Sequence, residues 1–210
     1  MTAPAKAVSA AGTASACWSC GAAAGVTPIC AACGIVQPPG QGDHFTRLGM
    51  ANGFELELAE LDRRYFALQR QLHPDRFARK TPREKALSQQ QAAALNEAYE
   101  TLKQPLRRAR YLAERLGVDL PQEGRTIDDP ALLMEAMEHR EALAEAATPQ
   151  AVEALANAVA SQRAAVLDGL PALFANDDRR GLRAAILRLA YLDKFAEEAR
   201  ARRFNLGPHG

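Results

Sequence analysis

Apolar residues recur at steps of three and four along residues 58–72, which is the spacing of one face of an α-helix. This stripe consists of Leu58, Leu61, Tyr65, Leu68 and Leu72. On a wheel of about 100° per residue, Arg63 and Arg70 fall almost opposite the stripe. The pattern therefore predicts an amphipathic helix with an apolar inner face and a basic outer face.

A second helix is predicted to begin near residue 81, because three helix-starting signals coincide there. Thr81 is suited to the N-cap, Pro82 to the first helical position, and Glu84 to closing a capping box with Thr81. An apolar face follows, formed by Leu87, Ala94, Leu95, Ala98, Tyr99 and Leu102. The two helices together predict an antiparallel hairpin.

The tripeptide His73-Pro74-Asp75 lies between these two helices. Pro74 has no N–H to donate, and its ring pushes His73 towards an extended backbone. The first helix must therefore end at this point. We expect a tight, exposed turn at the tip of the hairpin that presents an imidazole and a carboxylate, in a position suited to recognition.

Three further helices are predicted in the second half of the chain. They span about residues 130–147, 149–175 after a Thr148-Pro149 start, and 178–203. Short connections between long helices predict an antiparallel three-helix bundle. The expected organisation is a disordered tail (1–16), a cysteine-rich element (17–34), a Pro/Gly linker (35–42), the hairpin domain (43–117), a second linker (118–129) and the bundle (130–204).

The helix at 130–147 carries more apolar surface than a bundle requires. Its apolar arc spans about 200°, whereas a core-facing stripe needs only a little over 100°. The residues suited to the core are Leu132, Ala136 and Leu143, and those pointing elsewhere are Leu133, Met134 and Met137. Glu138, Arg140 and Glu141 lie along the same side as rim charges. This helix is either buried on two sides or offers an adaptable binding surface, for which methionine is well suited.

All four cysteines fall in two Cys-x-x-Cys pairs, Cys17/Cys20 and Cys30/Cys33, and a glycine follows each pair. This spacing is typical of a structural zinc site with four thiolate ligands, and one zinc ion is expected. The alternatives are two disulfides, which a reducing cytoplasm disfavours, a redox-active pair, or a site for iron or a cluster.

The composition favours packed helices over sheets, because 48% of the residues are apolar, many of these are alanine, and only 6% are aromatic. A net charge of +1 gives no reason to expect nucleic acid or membrane as the main partner. The N-terminal residues lack a signal core and the arginines of a transit peptide, which predicts a cytoplasmic protein. No nucleophile motif, P-loop or catalytic set is present, so we do not expect an enzyme.

The His-Pro-Asp turn between a basic amphipathic helix and a capped helix resembles the J-domain, with which DnaJ-like co-chaperones stimulate a heat-shock ATPase. The chain from about residue 43 to residue 200 resembles HscB, the J-protein of iron–sulfur cluster assembly. The similar segments are residues 43–49 (DHFTRLG), 68–71 (LQRQ), 105–112 (PLRRARYL), 133–135 (LME), 139–141 (HRE) and 191–194 (YLDK). Eukaryotic members of this family also carry an N-terminal tetracysteine element.

The resemblance implies two binding surfaces. The surface for an HscA- or DnaK-class chaperone would consist of Arg63, Arg70, His73, Pro74 and Asp75. The surface for an IscU-type scaffold protein would consist of Leu133, Met134, Met137, Glu138, Arg140, Glu141 and Tyr191. Met137 and Tyr191 stand where the family has other apolar residues, so the second surface is expected to be similar rather than identical.

The resemblance therefore implies a co-chaperone that brings the scaffold to the chaperone and stimulates its ATPase through the His-Pro-Asp turn. Two alternatives remain from the sequence. One is a general J-protein that serves unfolded clients, and the other is a zinc-dependent nucleic-acid-binding module. The near-neutral charge and the lack of interleaved basic and aromatic residues argue against the second.

Overall fold

The computed structural model describes residues 16–25, 27–40, 42–122 and 129–207 of the 210-residue chain. Seven α-helices lie in these ranges: α1 (His44–Leu48), α2 (Leu58–Leu72), α3 (Pro82–Lys103), α4 (Pro105–Arg115), α5 (Pro130–Glu145), α6 (Pro149–Ala175) and α7 (Arg179–Asn205). The prediction of an all-α fold is confirmed. The predicted tail, apart from Ala16, and residues 123–128 of the second linker lie outside the described residues.

The chain forms two compact units, Met1–Lys103 and Gln104–Gly210. In the first unit, α2 and α3 form the predicted antiparallel hairpin, and α1 packs against both helices. The core of this unit is built from fully buried side chains, among them Phe45, Leu48, Leu61, Leu95 and Leu102. Because α3 contacts α1, α2 and the turn between the hairpin helices, it is the central support of this unit.

The apolar stripe of α2 is buried at Leu61, Tyr65 and Leu72, as its periodicity predicts, but Leu58 is 48% exposed. The reason is the length of the facing helix. Lys103, the last residue of α3, lies opposite Asp62, with 3.9 Å between Nζ and the carboxylate oxygen. Leu58 is one turn beyond that point, so α3 has no residue left to cover it.

The predicted break at the tip of the hairpin is confirmed. Helix α2 ends at Leu72, His73 has an extended backbone (φ −56°, ψ 128°), and a single turn of 3-10 helix follows from Pro74 to Phe77. The side chain of Phe77 is buried and anchors this turn. On the other side of the tip, the Oγ of the fully buried Ser88 donates a 2.8 Å hydrogen bond to the carbonyl of Leu72.

The capping box at the start of α3 is also confirmed. The backbone N–H and the hydroxyl of Thr81 both donate to the Glu84 carboxylate, at 3.0 and 2.7 Å. The N–H of Glu84 donates in return to the Thr81 hydroxyl at 3.3 Å. The hydroxyl, followed by the N–H, lowers the pKa of the Glu84 carboxyl, so this cap weakens only as the pH falls through that lowered value.

The second unit contains α4–α7. Helices α6 and α7 pack along each other, and α5 lies against both, which confirms the predicted bundle of three helices. The shared core includes Val152, Val159, Leu192 and Phe195. No basic residue occupies the last turn of α5, and the guanidinium of Arg202 on α7 instead donates to two carbonyls at the C-terminal end of α5.

Helix α4 packs against α6 and α7 in this second unit. The sequence placed these residues in the hairpin domain 43–117, and the domain boundaries as a whole stay a prediction. The break before α4 has a local cause, because Gln104 is extended and Pro105 occupies the first helical position. Among the described residues, no helix is both long enough and apolar enough to cross a bilayer.

The segment expected to be a flexible linker, 35–42, is packed instead over its first residues. Val36 is 1% exposed and Gln37 is 5% exposed. The side-chain amide of Gln91 on α3 donates a 2.9 Å hydrogen bond to the backbone carbonyl of Gln37. The start of the predicted Pro/Gly linker is therefore not free of the helices, because Val36 and Gln37 are buried and Gln37 bonds to α3.

Candidate metal centre and docking surfaces

The four cysteines predicted as metal ligands converge in the structure. The sulfur atoms of Cys17, Cys20, Cys30 and Cys33 all lie within 4.8 Å of one another. The Sγ–Sγ distance is 3.7 Å between Cys17 and Cys33 and 3.9 Å between Cys20 and Cys30. These separations are far beyond a disulfide bond of about 2.05 Å, so the thiols are not paired covalently.

Two similar turns hold the cysteines in place. In the first, the N–H of Cys17 donates to Ala22 and the N–H of Gly21 donates back to the Cys17 carbonyl. Cys30 and Gly34 repeat this pattern in the second turn. Gly21 and Gly34 have φ values of 73° and 71°, a left-handed conformation that other residues adopt at a cost, which explains the glycine after each pair.

The surroundings of Cys17 favour a thiolate. The backbone N–H of Cys20, followed by that of Ser19, lowers the pKa of the Cys17 thiol to about 6, against the opposing effect of burial. The side-chain amide of Gln37 also donates to this sulfur, at 3.2 Å. N–H donors that point at a sulfur atom are typical neighbours of metal-bound thiolates.

The sulfur geometry fits one tetrahedral ion. Four Zn–S bonds of about 2.3 Å in a tetrahedron imply Sγ–Sγ distances of about 3.8 Å, and the two distances quoted above are close to this value. Cys17 and Cys30 are buried, while Cys20 and Cys33 are exposed, so an ion could enter from one side. The four residues therefore form a site that can hold a metal ion.

The predicted chaperone-binding turn is exposed and ordered by local bonds. The side chains of His73 and Asp75 are 51% and 90% exposed. The Nδ1 atom of His73 accepts a 3.3 Å hydrogen bond from the N–H of Asp75 and lies 3.5 Å from its carboxylate. These contacts fix the imidazole beside the carboxylate while leaving both groups open to a partner.

The outer face of α2 leads towards this turn. The Arg63 side chain is 71% exposed, and Arg70 is also exposed. The structure adds a residue that the sequence reasoning missed, because Phe66 lies on the same face and is 50% exposed. Its ring packs edge-on against the Tyr65 ring, with centroids 5.1 Å apart. The sequence does contain the signal, because Phe66 is a large apolar residue that falls outside the buried stripe on the helical wheel.

The apolar residues of α5 fall into a buried group and an exposed group, as the helical wheel predicts. Leu132, Ala136 and Leu143 are buried in the bundle, whereas Leu133, Met134 and Met137 are 43%, 65% and 56% exposed. The interpretation that this helix is buried on two sides is therefore wrong. The predicted rim charges Glu138, Arg140 and Glu141 are exposed as well, and Arg140 pairs with Glu198 on α7 at 3.6 Å.

Tyr191 differs from the rest of the predicted scaffold surface, because it is only 5% exposed. Its hydroxyl lies 2.7 Å from Nδ1 of His139, and the two rings stack with centroids 5.8 Å apart. Burial, reinforced by Glu135, raises the pKa of Tyr191 to about 12, so its hydroxyl stays protonated. Tyr191 therefore supports α5 from beneath through His139 and is not part of the exposed surface.

Two protein-family models match this chain, one in each half. Residues 43–111 match the DnaJ domain, and residues 128–200 match the HSCB C-terminal oligomerisation domain. The first match contains the His-Pro-Asp turn and the hairpin, and the second contains the whole exposed face of α5.

Individual relatives agree with this result. Co-chaperone protein HscB homologues from Bordetella petrii and Aeromonas salmonicida are 39% and 37% identical over 165 and 160 residues. These alignments cover 77% and 74% of this chain, and 96% and 93% of the two relatives.

Two solved structures are also similar. The crystal structure of human co-chaperone protein HscB has a TM-score of 0.84 at 29% identity, covering 91% of this chain and all of the human chain. The chaperone HscB from Vibrio cholerae has a TM-score of 0.71 at 34% identity, covering 79% of this chain and 99% of its own. With its J-domain hairpin, its HscB-type C-terminal helices and its cluster of four cysteines, this chain belongs to the HscB family of co-chaperones, which regulate an ATPase and are not themselves enzymes.

Proposed function

We propose that this protein carries an IscU-type iron–sulfur scaffold to an HscA-class chaperone and stimulates the ATPase of that chaperone. The observation that carries the proposal is the pair of exposed surfaces on one chain. One is the His73-Pro74-Asp75 turn, and the other is the apolar face of α5 formed by Leu133, Met134 and Met137. A general J-protein for unfolded clients has no need of a compact, rimmed apolar patch on an ordered helix.

The first surface acts on the chaperone. The turn, Arg63, Arg70 and Phe66 bind the chaperone in its hydrolysis-competent state better than in its other states, which shifts the population towards hydrolysis. His73 and Asp75 serve as fixed recognition groups, and the backbone bond between them sets their separation.

The second surface holds the scaffold. Leu133, Met134 and Met137 supply the apolar anchors, and Glu138, Arg140 and Glu141 supply a charged rim. A chain that binds both partners raises the effective concentration of the scaffold at the chaperone.

We also propose that the four cysteines bind one zinc ion, which cross-links the two cysteine turns and performs no chemistry on a substrate. Four thiolates in a closed tetrahedron are typical of structural zinc sites. Free thiols at this spacing are compatible with a reducing compartment, and we infer that the protein works in the cytoplasm.

Replacing His73 with glutamine is expected to abolish stimulation of the HscA-class ATPase. The fold should be retained, because His73 is half exposed and contributes little to the core. Steady-state ATP hydrolysis with purified chaperone measures the effect, and a thermal melt checks the fold. Asp75→Asn, which keeps the side-chain shape, should have the same effect. Full stimulation by a folded His73→Gln protein would refute the role of the turn.

Phe66→Ala is expected to weaken chaperone stimulation, with Leu58→Ala as the matched control. The two side chains are almost equally exposed, at 50% and 48%, and both lie on α2. Phe66 is about 10 Å along the helix from His73, whereas Leu58 is about 22 Å away. The concentration of protein needed for half-maximal stimulation should rise roughly tenfold for Phe66→Ala, the size expected for a buried aromatic anchor. Equal effects of the two substitutions would remove Phe66 from the proposed surface.

The purified protein is expected to contain one zinc ion per chain, measured by elemental analysis together with a thiol titration. Replacing the buried Cys17 with serine should remove the ion, because a neutral hydroxyl is a far poorer zinc ligand than a thiolate. Ser19→Ala changes a neighbouring hydroxyl without touching a sulfur ligand and should leave the zinc content unchanged. A protein that carries iron and absorbs visible light would show that the site serves another metal.

Changing Leu133, Met134 and Met137 together to alanine is expected to weaken scaffold binding on the order of 100-fold, as loss of clustered apolar anchors does at other interfaces. The melting temperature should change little, because all three side chains are exposed and alanine preserves the helix. Calorimetric titration with the scaffold measures the affinity. Leu132→Ala, a buried neighbour on the same helix, should instead lower stability by roughly 2–5 kcal/mol. Unaltered affinity in the triple variant would place the scaffold site elsewhere.

A further inference from the structure

Gln37 lies between the cysteine cluster and helix α3, and it bonds to both. Its side-chain amide donates to Sγ of Cys17 at 3.2 Å and to the carbonyl of Ile35 at 2.9 Å. Its own backbone carbonyl accepts the 2.9 Å bond from the amide of Gln91. Gln37 and Gln91 are 5% and 3% exposed, so water cannot replace a partner that is lost.

A second contact joins the same two parts of the chain. The indole N–H of Trp18, which stands next to Cys17, donates a 2.7 Å hydrogen bond to the carbonyl of Val36. The guanidinium of Arg83, in the first turn of α3, lies 4.1 Å from the centre of the Trp18 ring. The cysteine element thus touches α3 at its first turn through Trp18, and the adjoining Gln37 bonds α3 near its middle.

Helix α3 in turn supports the His-Pro-Asp turn. Ser88 lies between Arg83 and Gln91 along α3, and its buried hydroxyl holds the carbonyl of Leu72, directly before His73. The 3-10 turn from Pro74 to Phe77 also packs against α3. One helix therefore contacts the cysteine element and the chaperone-binding turn on neighbouring parts of its surface.

We propose that Gln37 is a positioning residue through which metal binding by the four cysteines stabilises α3 and, with it, the His73-Pro74-Asp75 turn. The described part of the cysteine element has only two isolated backbone bridges and a very small core, so its order depends on the metal. When the element loses order, the Gln91 amide loses its buried acceptor and Arg83 loses the Trp18 ring. Because the metal binds the folded element, its binding energy also stabilises what the element contacts.

Hydrogen exchange on the 210-residue chain tests this inference, with zinc and a chelator as the only additions. In the wild-type protein, backbone amides of residues 84–95 are expected to exchange about tenfold faster after zinc is stripped, the change expected when buried hydrogen bonds are lost. In a protein with Arg83→Gln and Gln91→Met, the zinc-loaded and stripped forms should exchange at nearly equal rates in this region. The exposed neighbour Gln90→Met is the matched control and should keep the wild-type difference.

A spectroscopic measurement tests the effect of Gln37 on the metal site separately from its effect on the stability of the protein. Gln37→Leu removes the N–H that points at Cys17 but keeps the carbonyl that accepts from Gln91. With cobalt(II) in place of zinc, the thiolate-to-cobalt charge-transfer band should shift to lower energy, because a sulfur without this donor gives up electron density more easily. The same band should stay in place in Gln90→Met. An unshifted band in Gln37→Leu would show that Gln37 does not act on the metal site.

The inference rests on the proposed metal site, and the measurements separate the two. A chain that takes up no zinc in elemental analysis would refute the metal site and this inference together. A chain that binds zinc but shows equal exchange of residues 84–95 with and without it would refute this inference alone. Persistent zinc-dependent protection in the Arg83→Gln/Gln91→Met protein would also overturn it, since the coupling would then run through other contacts.

Discussion

Proline sets where most of the described helices begin, and the contacts between these helices depend on those boundaries. Four of the seven helices in the described ranges have proline at the first position: Pro82, Pro105, Pro130 and Pro149. The first N–H of a helix has no intrahelical acceptor, so proline costs no hydrogen bond there and fixes the chain direction. Pro74 begins the 3-10 turn in the same way, and it also forces the preceding His73 into an extended backbone. The same constraint that starts the supporting helices therefore also exposes the imidazole on which the proposed function depends.

Features that depend on neighbours in sequence could be predicted, and features that depend on distant partners could not. The capping box of Thr81 and Glu84 and the split of α5 into buried and exposed apolar sides follow from local spacing. Leu58 fits the buried stripe of α2 equally well by periodicity, yet its exposure depends on where α3 ends, some 45 positions later. The packing of Gln37 likewise depends on Gln91, which is 54 positions away. A Pro/Gly-rich composition predicts backbone freedom and says nothing about such a partner.

The burial of Tyr191, near the proposed scaffold site, also depends on a distant partner and could not be predicted from the sequence. A family resemblance can place an aromatic residue near a binding surface, but the depth of its side chain depends on the partner it meets. Here that partner is His139, 52 positions away, whose ring covers the tyrosine and accepts or donates the bond to its hydroxyl. The polar pair gives α5 and α7 a directional contact in addition to apolar packing, and Arg188 adds a 2.6 Å bond to Glu135 on the same side. The exposed face of α5 is thus held in position by side chains that are not part of that face.

A recognition turn must be exposed to reach its partner and fixed to be recognised, and these two requirements conflict within one short segment. This chain resolves the conflict by burying the groups that fix the turn, one on α3 and one at the end of the turn itself. The Ser88 hydroxyl holds the last carbonyl of α2, and Phe77 anchors the far side of the turn, while His73 and Asp75 remain open. Binding energy is then not consumed in ordering the turn. Rigidity at the turn therefore depends on the rigidity of α3. That dependence gives a physical reason for the cysteine element to pack on a neighbouring part of the same helix, where it can influence the rigidity of the turn without lying at the turn itself.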